Sequence, residues 1–100
     1  MNAIDVTILE KEMSATRTEF FRIAHRFLDG RTSSVTTDGF VVEDGLKALD
    51  VSISDLPERR ITALMVLPRL SVRLAFSGFS ADEVKDLMVI FDRHYQRGGG

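Results

Sequence analysis

Apolar and polar residues alternate at the amino terminus. Ile4, Val6 and Ile8 are separated by Asp5 and Thr7, which is the spacing of a strand with one buried face. The charged run 10–12 then interrupts this alternation. The pattern predicts a half-buried first strand that ends before residue 10.

A capping box precedes the second element. Thr16 is followed three residues later by Glu19, and such a pair satisfies the free amides at the start of a helix. At about 100° per residue, the apolar residues that follow fall on one side. They are Phe20, Phe21, Ile23, Ala24, Phe27 and Leu28. We therefore expect an amphipathic helix, with Gly30 as the left-handed residue at its end.

Two Asp-Gly pairs divide the next region. Asp38-Gly39 and Asp44-Gly45 are typical of type I′ hairpin turns, in which both central residues need positive φ. The predicted antiparallel strands cover residues 31–37, 40–43 and 46–54. This region is therefore expected to be a three-stranded meander with a short middle strand.

The segment 55–67 allows two interpretations. Asp55 can cap a short helix that begins near Pro57, or residues 61–67 can form a buried strand. Periodicity does not separate a helix from a strand over so short an apolar run. Pro68 is expected to end the element in either case.

The last third of the chain has the clearest patterns. Apolar residues alternate with polar ones at Leu70, Val72, Leu74 and Phe76, which predicts a strand. Ser80 and Glu83 form a second capping box, and an apolar stripe follows it at helical spacing. The stripe consists of Val84, Leu87, Met88, Phe91 and Tyr95. Residues 81–96 are therefore predicted to form an amphipathic helix, with Val89 and Ile90 on the two flanks of its stripe.

These elements predict an α+β fold. Two amphipathic helices must each cover an apolar surface, and an antiparallel sheet with one apolar face supplies it. We expect both helices to pack on one face of a four- to five-stranded, mainly antiparallel sheet. A single domain is expected over residues 1–97, followed by a flexible glycine tail over 98–100.

Composition excludes several classes of protein. Hydrophobic residues make up 44% of the 100 residues and charged residues 28%, which is typical of a globular chain. Cysteine is absent, which excludes disulfides and thiolate-bound metals. No apolar run is longer than five residues, the length of the run 63–67, which is too short to span a bilayer. The amino terminus does not resemble a secretory signal. The net charge of −2 carries no nucleic-acid signature, so we expect the partner to be a protein or another copy of the chain. A cytoplasmic location is expected because the sequence has neither cysteine nor an export signal.

Catalytic and metal-binding motifs are not recognised in the sequence. The two histidines, His25 and His94, are not at a spacing typical of a metal site, and no serine lies in a nucleophile motif. His25 is expected in solvent on the polar side of the first helix. His94 is expected in the last turn of the second helix, where the helix dipole favours an imidazolium. We therefore expect no catalytic residue, no metal and no cofactor.

Charge is distributed unevenly along the chain. Residues 38–58 contain six acidic residues and one lysine, whereas residues 59–81 contain four arginines and no acidic residue. The four are Arg59, Arg60, Arg69 and Arg73. They are expected either to form salt bridges with the acidic meander or to bind an acidic partner or a phosphate, since guanidinium groups bind carboxylates and phosphates in pairs of hydrogen bonds.

One pair of motifs resembles a known family. Arg22 and Arg26 form R-x-x-x-R, and Asp50 and Ser52 begin a later D-x-S stretch. In that order they resemble the two-part signature of PilZ domains, a β-barrel family that binds a cyclic dinucleotide. The resemblance implies that the two arginines clamp the phosphates and guanine, while Asp50 and Ser52 shape the far side of the pocket. Asp55 stands where the family has a glycine.

Two functions follow from these observations. The first is a small non-catalytic binding or regulatory domain that acts through protein contacts or self-association, with Val89 and Ile90 as its interface. The second is a PilZ-like module that binds a cyclic dinucleotide.

Overall fold

The structure is a computed structural model that describes the backbone of residues 6–99 and the side chains of residues 6–95. It contains five strands and two helices. In chain order they are β1 (Val6–Met13), α1 (Arg17–Phe27), β2 (Thr32–Thr36), β3 (Gly39–Asp44), β4 (Lys47–Arg60), β5 (Val66–Ser77) and α2 (Ala81–Gly99). The described residues therefore have the predicted α+β class, with five strands. Ile4 and Gly100 lie outside the described residues.

The five strands form one antiparallel sheet in the order β1-β5-β4-β3-β2. The register divides their side chains between two faces, because successive side chains of a strand point to opposite sides. The inner face includes Leu9, Lys11, Met13, Phe40, Val42, Leu49, Val51, Ile53, Leu70, Val72, Leu74 and Phe76. The outer face includes Val6, Ile8, Glu10, Glu12, Val41, Glu43, Ala48, Asp50, Ser52, Ser71, Arg73, Ala75 and Ser77.

Aromatic side chains join both helices to this core. The Phe20 and Phe27 rings of α1 each lie 6.0 Å from the Phe40 ring, measured between centroids. The Phe27 ring also meets the Phe91 ring of α2 edge to face at 5.4 Å. All four of these residues are almost completely buried. They belong to a single cluster that also contains the apolar side chains of the inner face.

Both predicted capping boxes are present. The Glu19 amide donates to Thr16 Oγ1 at 3.1 Å, and the Thr16 amide donates to the Glu19 carboxylate at 2.9 Å. Ser80 and Glu83 exchange the same two bonds before α2, at 2.8 and 3.2 Å. Gly30 has a φ of 77°, so the left-handed residue after α1 lies where the sequence predicts it.

The prediction for the first strand is wrong in its end and its buried face. β1 continues through the charged run to Met13, and Val6 and Ile8 are 50% and 47% exposed on the outer face. The inner face of β1 instead carries Lys11 between two apolar residues. The Lys11 ammonium binds the Asp92 carboxylate of α2, and this partner satisfies a charge that the sequence pattern treats as an interruption.

Both Asp-Gly pairs lie at hairpins, but neither forms a type I′ turn. Among the described residues only glycines have positive φ, whereas a type I′ turn needs it at both central positions. In the β3–β4 turn, Gly45 is the first central residue, with a φ of 64°. Gly39 lies in β3, beyond the β2–β3 turn. Glycine is required at this position because the backbone passes so close to β4 that a Cβ atom would overlap the carbonyl oxygen of Val51.

Neither predicted element forms over residues 55–67. β4 instead continues to Arg60, and β5 begins at Val66 after a short turn. Pro68 lies inside β5 and does not end a strand. The register shifts between Leu56 and Arg59, and Pro57 and Pro68 lie opposite each other at this irregularity. Proline is accepted there because a bulge already interrupts the ladder of hydrogen bonds.

The end of α2 also differs from the prediction. The helix continues to Gly99, beyond the predicted end at residue 96 and into the glycine run. His94 is therefore not in its last turn. The predicted single domain over 1–97 and the flexibility of residues 98–100 stay predictions.

We expect Gly39→Ala to lower the free energy of unfolding by about 1–3 kcal/mol, because an added methyl group overpacks the contact with the Val51 carbonyl. Chemical denaturation followed by circular dichroism measures this change. Ser54→Ala, at an exposed position of β4, is the control and should change stability by less than about 0.5 kcal/mol. Equal stabilities of the two variants would contradict the close approach.

The only tyrosine in the chain provides a second test of the core. The Tyr95 hydroxyl donates to the Phe20 carbonyl at 3.0 Å, and burial raises the pKa of this phenol. The unfolded chain loses the phenolic proton near pH 10, whereas the folded chain retains it to higher pH. Stability is therefore unaffected below about pH 10 and should decrease above it.

Ultraviolet absorbance of the phenolate should show ionisation well above pH 10 in the folded protein and near pH 10 in denaturant. Tyr95→Phe should remove this part of the alkaline loss of stability. A normal phenol titration in the folded protein would rule out the burial of Tyr95 between α1 and α2.

Candidate functional site

β4 and β5 extend beyond the strands on either side of them. β3 pairs with β4 only as far as Ser52, and β1 pairs with β5 only as far as Leu70. The hairpin formed by residues 54–69, hereafter the arm, therefore continues as two strands alone. The 14 residues of β4 span about 45 Å at roughly 3.3 Å per residue. The molecule is elongated, with dimensions of 55, 28 and 24 Å along its three principal axes.

The tip of the arm is an ordered turn. The Met65 amide donates to the Thr62 carbonyl at 3.3 Å, and the Ile61 amide donates to the Met65 carbonyl at 2.9 Å. The Leu64 amide donates to the Thr62 hydroxyl at 3.2 Å. These bonds define the backbone conformation of the turn.

Four neighbouring apolar side chains of this tip face solvent. Leu64 is 98% exposed, Met65 52%, Ile61 46% and Val66 39%. Scattered single apolar residues are common on protein surfaces, whereas contiguous apolar patches mark interaction sites. The tip, residues 61–66, is therefore the first candidate site.

Two arginines lie immediately behind the tip. Arg59 and Arg60 are both exposed, and the Arg60 guanidinium is 3.4 Å from the Ala63 carbonyl. The ion pairs among the described residues include neither of them. The arm therefore presents an apolar tip and two adjoining positive charges.

The other two arginines of the predicted patch lie elsewhere. Arg69 binds the Glu12 carboxylate at 2.8 Å and donates to the Pro57 carbonyl at 3.1 Å, so it ties the base of the arm to β1. Arg73 is exposed on the outer face, between Glu10 of β1 and Ser52 of β4 in the register. The sequence places four arginines in one patch, and the structure leaves only Arg59 and Arg60 together at the tip.

The acidic meander binds another arginine. Arg17, the first residue of α1, is 3.1 Å from the Asp38 carboxylate and 3.2 Å from that of Asp55. The hydrogen bond that Arg17 donates to Asp38 is the main cause that raises the pKa of Arg17. This cluster joins the start of α1 to the β2–β3 turn and β4, which is a structural role.

A second ion pair joins β4 to the start of α2. Lys47 binds the Glu83 carboxylate, and its ammonium lies 5.8 Å from the centre of the Phe79 ring. The hydrogen bond from Lys47 lowers the pKa of Glu83, and the same bond raises the pKa of Lys47. Because Glu83 also completes the capping box of α2, this pair holds the helix at the sheet.

The residues of the PilZ-like resemblance lie in two places. Arg22 and Arg26 are exposed on α1, which packs against Phe40 of the inner face. Asp50 and Ser52 belong to the outer face. The structure therefore does not bring the two halves of the motif to one pocket.

The remaining residues singled out by the sequence lie on the helices. Val89 is 50% exposed on α2, whereas Ile90 is partly buried and packs against the core. His25 is exposed, as predicted. The Nδ1 atom of His94 lies 2.9 Å from the Ile90 carbonyl, and its ring meets the Phe27 ring edge to face.

Comparison with protein-family models, with curated proteins and with solved structures gives no match. The described side chains contain no group of three or more His, Cys, Asp or Glu placed to hold a metal ion. No helix in the described part of the chain is both long and apolar enough to cross a membrane.

Sequence reasoning found Arg59 and Arg60 but missed the apolar tip beside them. The run 63–67 is equally typical of a buried strand, so its composition alone favours the core. The signal was the position of the run between Pro57 and Pro68, with two adjacent arginines before it.

We expect Leu64→Glu to change the free energy of unfolding by less than about 0.5 kcal/mol, because an exposed side chain leaves no cavity when it is replaced. The contrast is Leu74→Ala in the core, which should cost about 2–5 kcal/mol. Urea denaturation of both variants measures the difference. A loss above about 1 kcal/mol in Leu64→Glu would show that the tip packs on its own chain.

Proposed function

We propose that this chain is a small non-catalytic binding domain that docks on another protein through the tip of the arm. The observation that carries the proposal is the exposure of Leu64 on a turn that hydrogen bonds hold in place. The tip is ordered before binding, so little conformational entropy is lost when a partner buries it.

The layout of the fold supports this assignment. We infer that α1 and α2 both cover the inner face, since buried side chains of both belong to the one core cluster. The helices then leave the tip of the arm, residues 61–66, exposed. We also place the interaction in the cytoplasm, as expected from a sequence without cysteine.

The chemistry of the tip defines the kind of partner. Burying a leucine side chain contributes about 1.5–3 kcal/mol, so Leu64 and the three apolar residues around it favour an apolar groove. Arg59 and Arg60 lie beside this surface and favour carboxylates at the rim of that groove. The expected partner is therefore a protein with an apolar groove flanked by acidic residues, and the binding should weaken as salt is added.

Photo-crosslinking tests this assignment without knowledge of the partner. A photoreactive amino acid replaces Leu64 in one variant and Leu46 in the other, and both are expressed in the source cells. Leu46 is the matched control, because it is a fully exposed leucine in the β3–β4 turn, at the opposite end of β4. We expect a discrete protein adduct from position 64 and none from position 46.

Competition makes the test specific. Excess unlabelled wild-type protein should suppress the adduct, whereas Leu64→Glu and the double variant Arg59→Glu/Arg60→Glu should not. Arg22→Glu/Arg26→Glu is the matched charge control on α1 and should compete like the wild type. The assignment fails if both positions give the same adducts or if Leu64→Glu competes fully.

Two other occupants of the tip are distinguished in the same experiment. An adduct of twice the chain mass would show that the tip binds a second copy. Sedimentation of the wild type, but not of Leu64→Glu, with vesicles of anionic phospholipid would show that the tip binds a membrane surface. Either result would overturn docking on a different protein.

A further inference from the structure

The free edge of β2 is exposed along its whole length. β2 is last in the strand order and pairs with β3, so its other edge meets none of the described strands. All five residues, Thr32–Thr36, are exposed. Alternate residues of an edge strand direct their N–H and C=O groups away from the sheet, where these groups form a template for one more strand.

The two edges of the sheet differ in their protection. Proteins commonly block an edge strand with charged side chains, proline or a bulge. β1, at the other edge, carries Glu10, Lys11 and Glu12 in succession. The sequence of β2 is Thr-Ser-Ser-Val-Thr, without a charge or a proline, and its register with β3 is regular. The β2 edge is therefore the one that is open to pairing.

β2 adds one apolar side chain to the inner face beside this free edge. The register places Val35 opposite Phe40, so both side chains point to the same face. Phe40 is buried against Phe20 and Phe27 of α1, whereas Val35 is 50% exposed. Ser33 lies two residues before Val35 on the same face, and its small side chain leaves space there.

One flank of α1 faces this part of β2. Arg17 donates a hydrogen bond to the carbonyl of Thr37, immediately after β2, at 3.1 Å. Phe21 follows one helical turn later on the same flank, since side chains four residues apart are neighbours on a helix. The Phe21 side chain is only partly buried. Phe21, Ser33 and Val35 therefore line a neutral space between α1 and the free edge, hereafter the edge slot.

We infer that the free edge of β2 binds an extended, uncharged segment of another protein as one more strand of the sheet. In this mode of recognition, main-chain hydrogen bonds supply the affinity and alternate side chains supply the specificity. Side chains on the inner side enter the edge slot, where Phe21 and Val35 favour an apolar residue that is β-branched or aromatic. Side chains on the outer side lie beside Thr32, Ser34 and Thr36, which favour serine and threonine.

The size of the edge favours a short segment over a second copy of the chain. The five residues of β2 are about 17 Å long and one layer, about 10 Å, deep. This edge presents far less than the area of about 800 Å² that each partner of a stable dimer buries. A short segment can bind on such an area in a weak, reversible complex.

The position of α1 also disfavours a second copy. Phe20 and Phe27 both pack on Phe40, so α1 lies along β3. Two copies joined through β2 would hold their α1 helices about three strand spacings, or about 14 Å, apart. Packed helices lie about 8–10 Å apart, so the edge slot would stay unfilled in such a dimer.

Selection from a phage-displayed library of random peptides, each about nine residues long, tests the inference with the full chain as bait. Ser33→Lys is the blocked variant, because it directs an ammonium into the edge slot. Ser54→Lys is the matched control at an exposed position of β4. Both variants should keep the circular dichroism spectrum of the wild type, because both serines are exposed.

Enriched peptides should be uncharged and have apolar residues at alternate positions. They should bind the wild type and Ser54→Lys equally, and Ser33→Lys on the order of tenfold more weakly. Equal binding to Ser33→Lys, or no enrichment of an alternating peptide, would overturn the inference.

Methylation of the peptide backbone identifies strand addition. Methyl groups on alternate amides should abolish binding in one phase, in which these amides donate to β2, and preserve it in the other. The reason is that only alternate amides of a strand face its neighbour. The same result in both phases would contradict pairing with β2.

Two further measurements separate the edge from other occupants and from the tip. Leu64→Glu should bind the peptides like the wild type, so a failure of peptide binding leaves docking through the tip intact. A loss of peptide binding in Leu64→Glu would place the site at the tip and overturn the inference. Sedimentation equilibrium should show a monomeric wild type, whereas a dimer that Ser33→Lys dissociates would show that a second copy occupies the edge.

Discussion

The antiparallel ladder between β4 and β5 is the constraint on which the rest of the structure depends. It is the longest pairing in the sheet, and its register determines which side chains reach the core. Val51 and Leu74 are opposite each other on the inner face, and Asp50 and Ala75 are opposite each other on the outer face. A shift by one residue would exchange the two faces. The same ladder continues past its neighbours to form the arm, so the core and the exposed tip share one element.

The helices and most strands could be predicted from the sequence because their signals are local. Thr16 with Glu19, and Ser80 with Glu83, specify helix starts within four residues. The buried face of β1 could not be predicted in this way, because the half-buried Lys11 on this face has its ion-pair partner, Asp92, 81 residues later in the chain. The structure of residues 55–67 could not be predicted either, because the extension of β4 and β5 through this segment depends on pairing between distant residues.

The candidate sites likewise divide into residues with a local sequence signal and residues whose role depends on distant pairing. Arg59 and Arg60 stand out in the sequence as charged residues after an acidic stretch. The apolar residues of the tip do not, since an apolar run carries no information about whether other strands cover it. Only the ends of β1 and β3 reveal that no other described strand pairs with the arm.

The position of β1 in the sheet also determines the order in which this fold can form. β1 comes first in the chain but pairs only with β5, so that Val6 lies beside Ser77. By contrast, β2, β3 and β4 each pair with the strand that follows them in the chain through a short turn. Closing the long loop between β1 and β5 costs more chain entropy than closing a hairpin. Contacts between residues that are distant in sequence also slow folding. Among the described strands, β1 therefore pairs only after β5 has been synthesised.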